Sequence, residues 1–280
     1  MTNDRLIVAA DSHQLSAFQS CRQKYKYETV ELIGPKKTAA ALNRGTLWHL
    51  LMEEKVNGTE MPQLFQLIAD SEVSDEDKKL ITERFLTYTA HWAGEKSNWE
   101  IIGTEVGFDK ILYQDDNTLF VYRGKVDLIF KLQGLIFWLD YKTQNPKYAF
   151  GHYHYTNQFL GYSWAIGGNR GMIDYTTWAL KVTPDNRDKV FRREVVSHSA
   201  DQLKIWRRET IEVFREMALA GINKKYPKSR AACDAKYKCP FTGLCETTNP
   251  HAYRHKMLTE YEPREAWRPW NIGDLENAKN

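Results

Sequence analysis

Two stretches near the middle of the chain carry the clearest strand signal. Gly124-Lys125-Val126-Asp127-Leu128-Ile129-Phe130 and Leu135-Ile136-Phe137-Trp138-Leu139-Asp140-Tyr141-Lys142-Thr143 are rich in β-branched and aromatic residues, and Gln133-Gly134 between them suits a two-residue turn. Pairing Leu132 with Leu135 across that turn sets Asp127 opposite Asp140 on one side of the sheet, because strand side chains alternate between faces. Upstream, residues 101–112 have strand character and Asp115-Asp116-Asn117 marks a turn, so the pattern predicts a three-strand meander ending at Lys142.

Helical spacing dominates elsewhere. Ser12 reads as the capped start of a short helix running to Cys21, and Leu42, Leu47, Leu50 and Leu51 describe an amphipathic helix over 39–55 that carries Gly45 and His49 one turn apart. Residues 57–100 read as further helix, with Pro62 opening one segment and 75–92 forming another. After the meander, 156–166 predicts a helix with Gln158 and Tyr162 on one face. Strands follow at 172–182 and 189–198 around a Pro184-Asp185-Asn186 turn, and Ser199 then caps a long helix ending near Gly221.

A chain of 280 residues with 42% hydrophobic and 13% aromatic residues has the composition of a packed globular protein. The formal charge of +3 is compatible with a nucleic-acid partner without requiring one. Residues 1–12 lack a basic lead followed by an apolar core, and no run approaches a membrane span, so the expectation is a soluble, cytoplasmic protein with no membrane partner. In a reducing compartment the four cysteines, Cys21, Cys233, Cys239 and Cys245, favour thiols or metal ligation over disulfides.

The hairpin holds the candidate chemistry. Two opposed carboxylates repel unless a cation lies between them, and Lys142, two residues beyond Asp140, points to the same face. Such a group can hold Mg²⁺ or Mn²⁺ through oxygen, activate water and steady a developing negative charge, which is phosphodiester chemistry. The spacing alone is also compatible with an ordinary hairpin bearing solvated charges. Glu105 on the preceding strand is a candidate accessory carboxylate, with solvation as its plain alternative. Residues 148–155 are dense in flat side chains suited to base stacking or to core packing, and the basic run Lys224, Lys225, Lys228 and Arg230 suits phosphates or plain solvation. The tail from His251, with Trp267 and Trp270, is polar and open to docking on the body or on a partner.

Taken in order, Gly45-Thr46-Leu47-Trp48-His49, Gly124-Lys125-Val126-Asp127, Asp140-Tyr141-Lys142-Thr143 and Gln158-Phe159-Leu160-Gly161-Tyr162 resemble the RecB-like exonuclease branch of the PD-(D/E)xK nuclease superfamily, in particular its iron-sulfur members among CRISPR-associated and phage-type exonucleases. The resemblance implies an α/β fold: a restriction-endonuclease-like mixed β-sheet core flanked by helices, with a helical cap closed by a four-cysteine cluster. It implies one nuclease domain over 1–280, with a helical part at 36–98, a cysteine-rich part at 222–250 and a tail at 251–280.

It further implies that His49, Asp127, Asp140 and the Tyr141 carbonyl bind the divalent metal, that Lys142 is the catalytic lysine, and that Gln158 and Tyr162 lie beside the site and contact DNA. Cys21 within Phe18-Gln19-Ser20-Cys21-Arg22-Gln23-Lys24-Tyr25 resembles the first ligand of a 4Fe-4S cluster, with Cys233, Cys239 and Cys245 as the others; Zn²⁺ is the alternative for four thiolates. The chain departs from the pattern in the five-residue gaps between those last cysteines, in Gln144 after the Asp-x-Lys-Thr run and in Val126 where the superfamily name has proline. The implied function is a metal-dependent DNA exonuclease acting on single strands or DNA ends in recombination, repair or phage DNA processing. The alternative is a non-cleaving DNA-binding or assembly component. A recombination or replication protein partner and an oligomeric state both stay open.

Overall fold

The computed structural model describes residues 5–36, 40–94, 98–144, 155–178, 181–233 and 239–266. Most of the aromatic segment at 148–155, and the tail tryptophans Trp267 and Trp270, lie outside the described residues. In chain order the elements are β1 (Leu6–Ala10), α1 (Ser12–Ser20), α2 (Arg22–Tyr25), a π-helical turn (Lys26–Val30), β2 (Ile33–Pro35), α3 (Ala40–Val56), α4 (Met61–Asp70), α5 (Asp75–His91), β3 (Glu100–Gln114), β4 (Thr118–Leu132) and β5 (Leu135–Gln144). They continue with α6 (Asn157–Ile166), β6 (Arg170–Thr177), α7 (Arg187–Val190), β7 (Phe191–Ser197), α8 (Ala200–Asn223), α9 (Arg230–Cys233), α10 (Thr242–Glu246), α11 (Pro250–Glu260) and β8 (Tyr261–Pro263).

The chain divides into two compact units, one of residues 1–38, 108–124 and 204–280, the other of 39–107 and 125–203. In the second unit the predicted hairpin forms in the expected register, Leu132 opposite Leu135 through Leu128 opposite Leu139. Gln133 and Gly134 take φ values of 52° and 78°, the left-handed pair that lets a two-residue turn match strand twist. β5 then pairs in parallel with β6, and β6 antiparallel with β7. A parallel neighbour requires a crossover, and α6 supplies the helix between β5 and β6.

Alternation along β5 distributes its side chains between two helical layers. Phe137, Leu139 and Tyr141 join the core made by Trp48, Leu51 and Met52 of α3, Leu64 and Ile68 of α4, and Phe85 and Tyr88 of α5. Trp138 turns the other way and stacks on Phe159 of α6 at 4.9 Å. Its indole N–H donates to Ser163 at 2.9 Å, and Gly171 opposite it leaves the room that a Cβ would fill. These contacts fix α6 over β5, Thr156 caps its start, and the left-handed Gly167 ends it.

In the first unit β1 runs parallel to the start of β4, Leu6 opposite Thr118 through Ala10 opposite Tyr122. α8 packs there through Trp206 on Tyr122 and Phe214 on Phe120. A two-stranded ribbon of β2 and β8 sits with a small core of Tyr27, Ile33, Phe241, Leu244 and Tyr261.

Some local expectations are corrected. The cap of α1 is Asp11, in a capping box with Gln14, because its carboxylate is the group that reaches the free Gln14 N–H. The strand expected over 172–182 begins at Arg170 and ends at Thr177. Lys189 and Val190 close a short helix before β7, because the Pro184 turn continues into helix through Thr183 and Asn186. Part of the tail, read as polar and unassigned, is helix from Pro250, capped by Asn249.

Candidate active site

All the nuclease-type residues fall in the second unit. α3 carries His49 because its apolar stripe, Leu47, Trp48, Leu51 and Met52, is buried against the sheet and leaves His49 at the margin. His49 Nδ1 lies 3.2 Å from Asp127 Oδ2, and the same carboxylate oxygen accepts the Tyr141 N–H at 2.8 Å. That side-chain-to-backbone bond ties β4 to β5 one step beyond the Leu128–Leu139 pair, where the register puts Asp127 opposite Asp140.

Asp140 is 1% exposed. Its Oδ1 accepts Gln158 Nε2 at 2.9 Å, while Lys142 Nζ stands 2.7 Å from Oδ2 as an ion pair outside hydrogen-bond alignment. The amide of Gln158 is spent on three neighbours: Nε2 also donates to the Tyr162 hydroxyl at 2.9 Å, and Oε1 accepts from Lys142 Nζ at 3.1 Å. The Tyr162 hydroxyl donates to the Lys125 carbonyl at 2.7 Å, so α6 is clamped to β4 and β5 together.

Glu105 enters from β3 by a backbone device that periodicity does not reveal. Its φ of 49° places it in the left-handed region, rare for a residue with a side chain and worth roughly 1 kcal/mol or more of strain. Its carboxylate joins His49 and Asp127, with ligand atoms of all three within 4.8 Å of one another. Lys125 pairs with Glu105. These residues open on a cleft of about 720 Å³ lined also by Gly45, Thr46, Leu50, Glu53 and Thr143.

The charges there are strongly coupled. Burial pushes the Asp140 carboxyl up, and Asp127 opposite adds to the push against the opposing Lys142 ammonium. Burial would raise Asp127 as well, yet His49, then Lys142 and the Tyr141 N–H, hold it below its ordinary value. His49 loses hydration on burial, but Asp127 and then Asp140 raise it above the usual imidazole range. Glu53 is raised by burial first and by Glu105 next. Four carboxylates, Asp127, Asp140, Glu105 and Glu53, around one imidazole and the two ammonium groups of Lys125 and Lys142 leave an excess of negative charge that favours a bound cation.

The site residues expected from sequence therefore fall into two groups. His49 and Asp127 meet at the open cleft, joined there by Glu105. Asp140, Lys142, Gln158 and Tyr162 meet in a half-buried network around the Asp140 carboxylate. Glu53 and Lys125 were not singled out, although Glu53 is one helical turn from His49 and Lys125 two strand positions from Asp127, so each shares a face with a named residue.

The four cysteines all lie in the first unit and are unpaired as disulfides. Ser229 links two of them, its N–H donating to Cys21 Sγ at 3.4 Å and its carbonyl accepting from Cys233 Sγ at 3.4 Å. Burial raises the Cys239 thiol, and Cys21 and Cys233 reinforce the shift; Cys245 is raised by burial and by the other three cysteines, with Lys228 opposing. The four sulfurs thus sit within electrostatic reach of one another.

A mixed sheet with helices on both faces, carrying opposed aspartates and an Asp-x-Lys strand, is the arrangement of a class of nucleases. The family model for the PD-(D/E)XK nuclease superfamily matches residues 12–246, and the chain belongs to that superfamily. Similar solved structures include SSO0001, at 17% identity over 85% of both chains with a TM-score of 0.42. A putative exonuclease from Eubacterium rectale is 13% identical over 98% of this chain and 93% of that one, with a TM-score of 0.49. An alkaline exonuclease from Laribacter hongkongensis is 11% identical over 77% and 90%, with a TM-score of 0.35. No curated protein matches the chain. Among the described residues no helix is long and apolar enough to cross a membrane.

Proposed function

We propose that this protein is a divalent-metal-dependent deoxyribonuclease, an exonuclease acting on single strands or DNA ends in recombination, repair or phage DNA processing. The observation that carries the reading is the pairing of an open His49–Glu105–Asp127 triad with the half-buried Asp140–Lys142–Gln158 network in a chain of this superfamily. One imidazole and two carboxylates fit Mg²⁺ or Mn²⁺, and Asp140 and the Tyr141 carbonyl complete the set. When bound, such an ion polarises the scissile phosphate and acidifies water.

The remaining work belongs to the side chains. Lys142 is held by Asp140 and Gln158 at 2.7 Å and 3.1 Å, so its ammonium is positioned before substrate arrives and can oppose the charge that grows on phosphate. Gln158 and Tyr162 position rather than react, and Gln158→Leu lowers kcat by about 10- to 100-fold while leaving DNA affinity within about twofold, which single-turnover cleavage and anisotropy check.

The four cysteines hold a 4Fe-4S cluster that ties the N-terminal and C-terminal segments of the first unit. Ser229 brings Cys21 and Cys233 to one residue from opposite ends of the chain, and four thiolates suit such a cluster, with Zn²⁺ as the alternative.

The deciding experiment is digestion of end-labelled single-stranded and duplex DNA by anaerobically purified protein with Mn²⁺, Mg²⁺ or EDTA, with iron and sulfide assayed on the same sample. Cleavage that requires the ion and is lost in Lys142→Ala is expected, with iron and acid-labile sulfide near four of each per chain. Failure to cleave with cluster-loaded protein would leave the non-cleaving binding component in its place.

A further inference from the structure

One face of the first unit carries a cationic surface outside the metal cleft. Along α8, Lys204, Arg207, Arg208 and Arg215 line a pocket of about 280 Å³ with Tyr113 of β3 and a single carboxylate, Glu212. Their spacing of three, four and eleven residues from Lys204 puts them on one helical stripe with a rise of roughly 16 Å. The buried Trp206, Thr210 and Met217 hold the opposite side of the helix against the unit, while Ile211 lines the pocket with the charges, so the cationic stripe faces out because the apolar stripe faces in.

The cations are arranged in advance of any ligand. Arg207 Nη2 donates to the Leu112 carbonyl at 2.7 Å, and Arg215 lies over the Tyr113 ring at 5.3 Å while pairing with Glu212. Tyr113 is itself fixed by its bond to Asp115 at 2.8 Å. Arg208 has no ion-pair or hydrogen-bond partner among the described residues. Guanidinium groups held in place lose little freedom on meeting an anion, and four cations against one carboxylate is the wrong balance for an interface with another basic chain.

We infer that this stripe is a phosphate-tracking surface that takes the sugar-phosphate backbone of the DNA substrate independently of sequence. A rise of roughly 16 Å matches the axial length of roughly four to five nucleotides at 3.4 Å each. The identity of the polyanion rests on the nuclease reading above; the binding itself does not.

The test is fluorescence anisotropy of labelled single-stranded and duplex oligonucleotides in EDTA, with the full chain, across about 50 to 200 mM NaCl. Lys204→Ala/Arg208→Ala weakens binding about tenfold at the low end and flattens the slope of log K against log salt by about 1.4 for single strands and about 1.8 for duplex, two lost contacts at about 0.7 and 0.9 each. Arg208→Lys, which keeps the charge, retains the slope and guards against a folding defect. An unchanged slope in the double variant overturns the proposal. So does an equal loss in Lys78→Ala/Lys79→Ala, which removes the same net charge from α5, or a loss confined to anionic phosphatidylserine vesicles. Because no cleavage is scored, a wild-type protein that binds through this stripe but fails to cut with Mn²⁺ would remove the nuclease reading and leave the surface standing.

Discussion

Asp140→Asn lowers DNA cleavage by about three orders of magnitude while raising the melting temperature of the metal-free protein at neutral pH. The catalytic half follows from what a divalent ion contributes at a phosphoryl centre, several kcal/mol of charge stabilisation, at about 1.4 kcal/mol per decade of rate. The stability half follows from burial. Asp140 is 1% exposed, and burial pushes its carboxyl up to about 6. Between its ordinary value and that one, the folded state binds more protons than the unfolded state, so the cost of the ionised form grows as pH rises and is fully present above about 6. Asparagine removes that cost and keeps the bond to Gln158. Lys142, partly exposed, falls back on solvent and Gln158. Thermal melts in EDTA should separate variant from wild type at pH 7.5 and converge as pH falls toward 4. Retained metal-dependent cleavage by Asp140→Asn would sink the site assignment.

The part of this site that could be read from sequence is the part built by local periodicity. The hairpin needs only its own turn and alternation, and Asp127, Asp140 and Lys142 follow from register; α6 needs only its cap and an i, i+4 pair to place Gln158 and Tyr162 together. Glu105 was weighed from sequence but could not be placed, because its carboxylate reaches His49 and Asp127 through a left-handed backbone step within β3. β1 went unread for a different reason. Its five-residue apolar run becomes a strand by pairing with β4 more than 100 positions away, Leu6 opposite Thr118. The same holds for β2 and β8, which join Ile33 to Pro263. The cap of α11 was in plain view as Asn249-Pro250, but a low apolar content on that segment hid it.

Asp174→Ala costs about 3–5 kcal/mol of stability, as much as truncating a buried core aromatic of the second unit. Asp174 lies on β6, buried from Gly171 onward, directly opposite Tyr141 of β5, so it backs the strand that carries Asp140 and Lys142. Its Oδ2 accepts the Tyr88 hydroxyl at 2.5 Å and Arg193 Nε at 2.7 Å, and the two side chains of the ion pair are 0% and 6% exposed. Removing the carboxylate strands a buried guanidinium that otherwise lies 3.9 Å over the Trp92 ring. It also removes an anion that supports Lys55, whose ammonium burial and Arg193 have already pulled down to about 8. For Lys55 the unfolded state binds more protons above that value, so stability rises with pH there; without Asp174 its ammonium is lower still, so the Lys55 part of the variant's deficit narrows as pH rises through about 8 and is gone once both proteins hold Lys55 neutral. Urea melts at pH 7 and pH 9 read both effects. If the loss comes from the orphaned cation rather than from lost packing, Asp174→Leu/Arg193→Met returns to within about 1 kcal/mol of wild type, since an apolar pair of similar volume needs no counter-charge. A double variant as unstable as Asp174→Ala would assign the cost to the shape of the strand pairing instead, and cleavage by the double variant would then report how closely the active strand depends on β6 behind it.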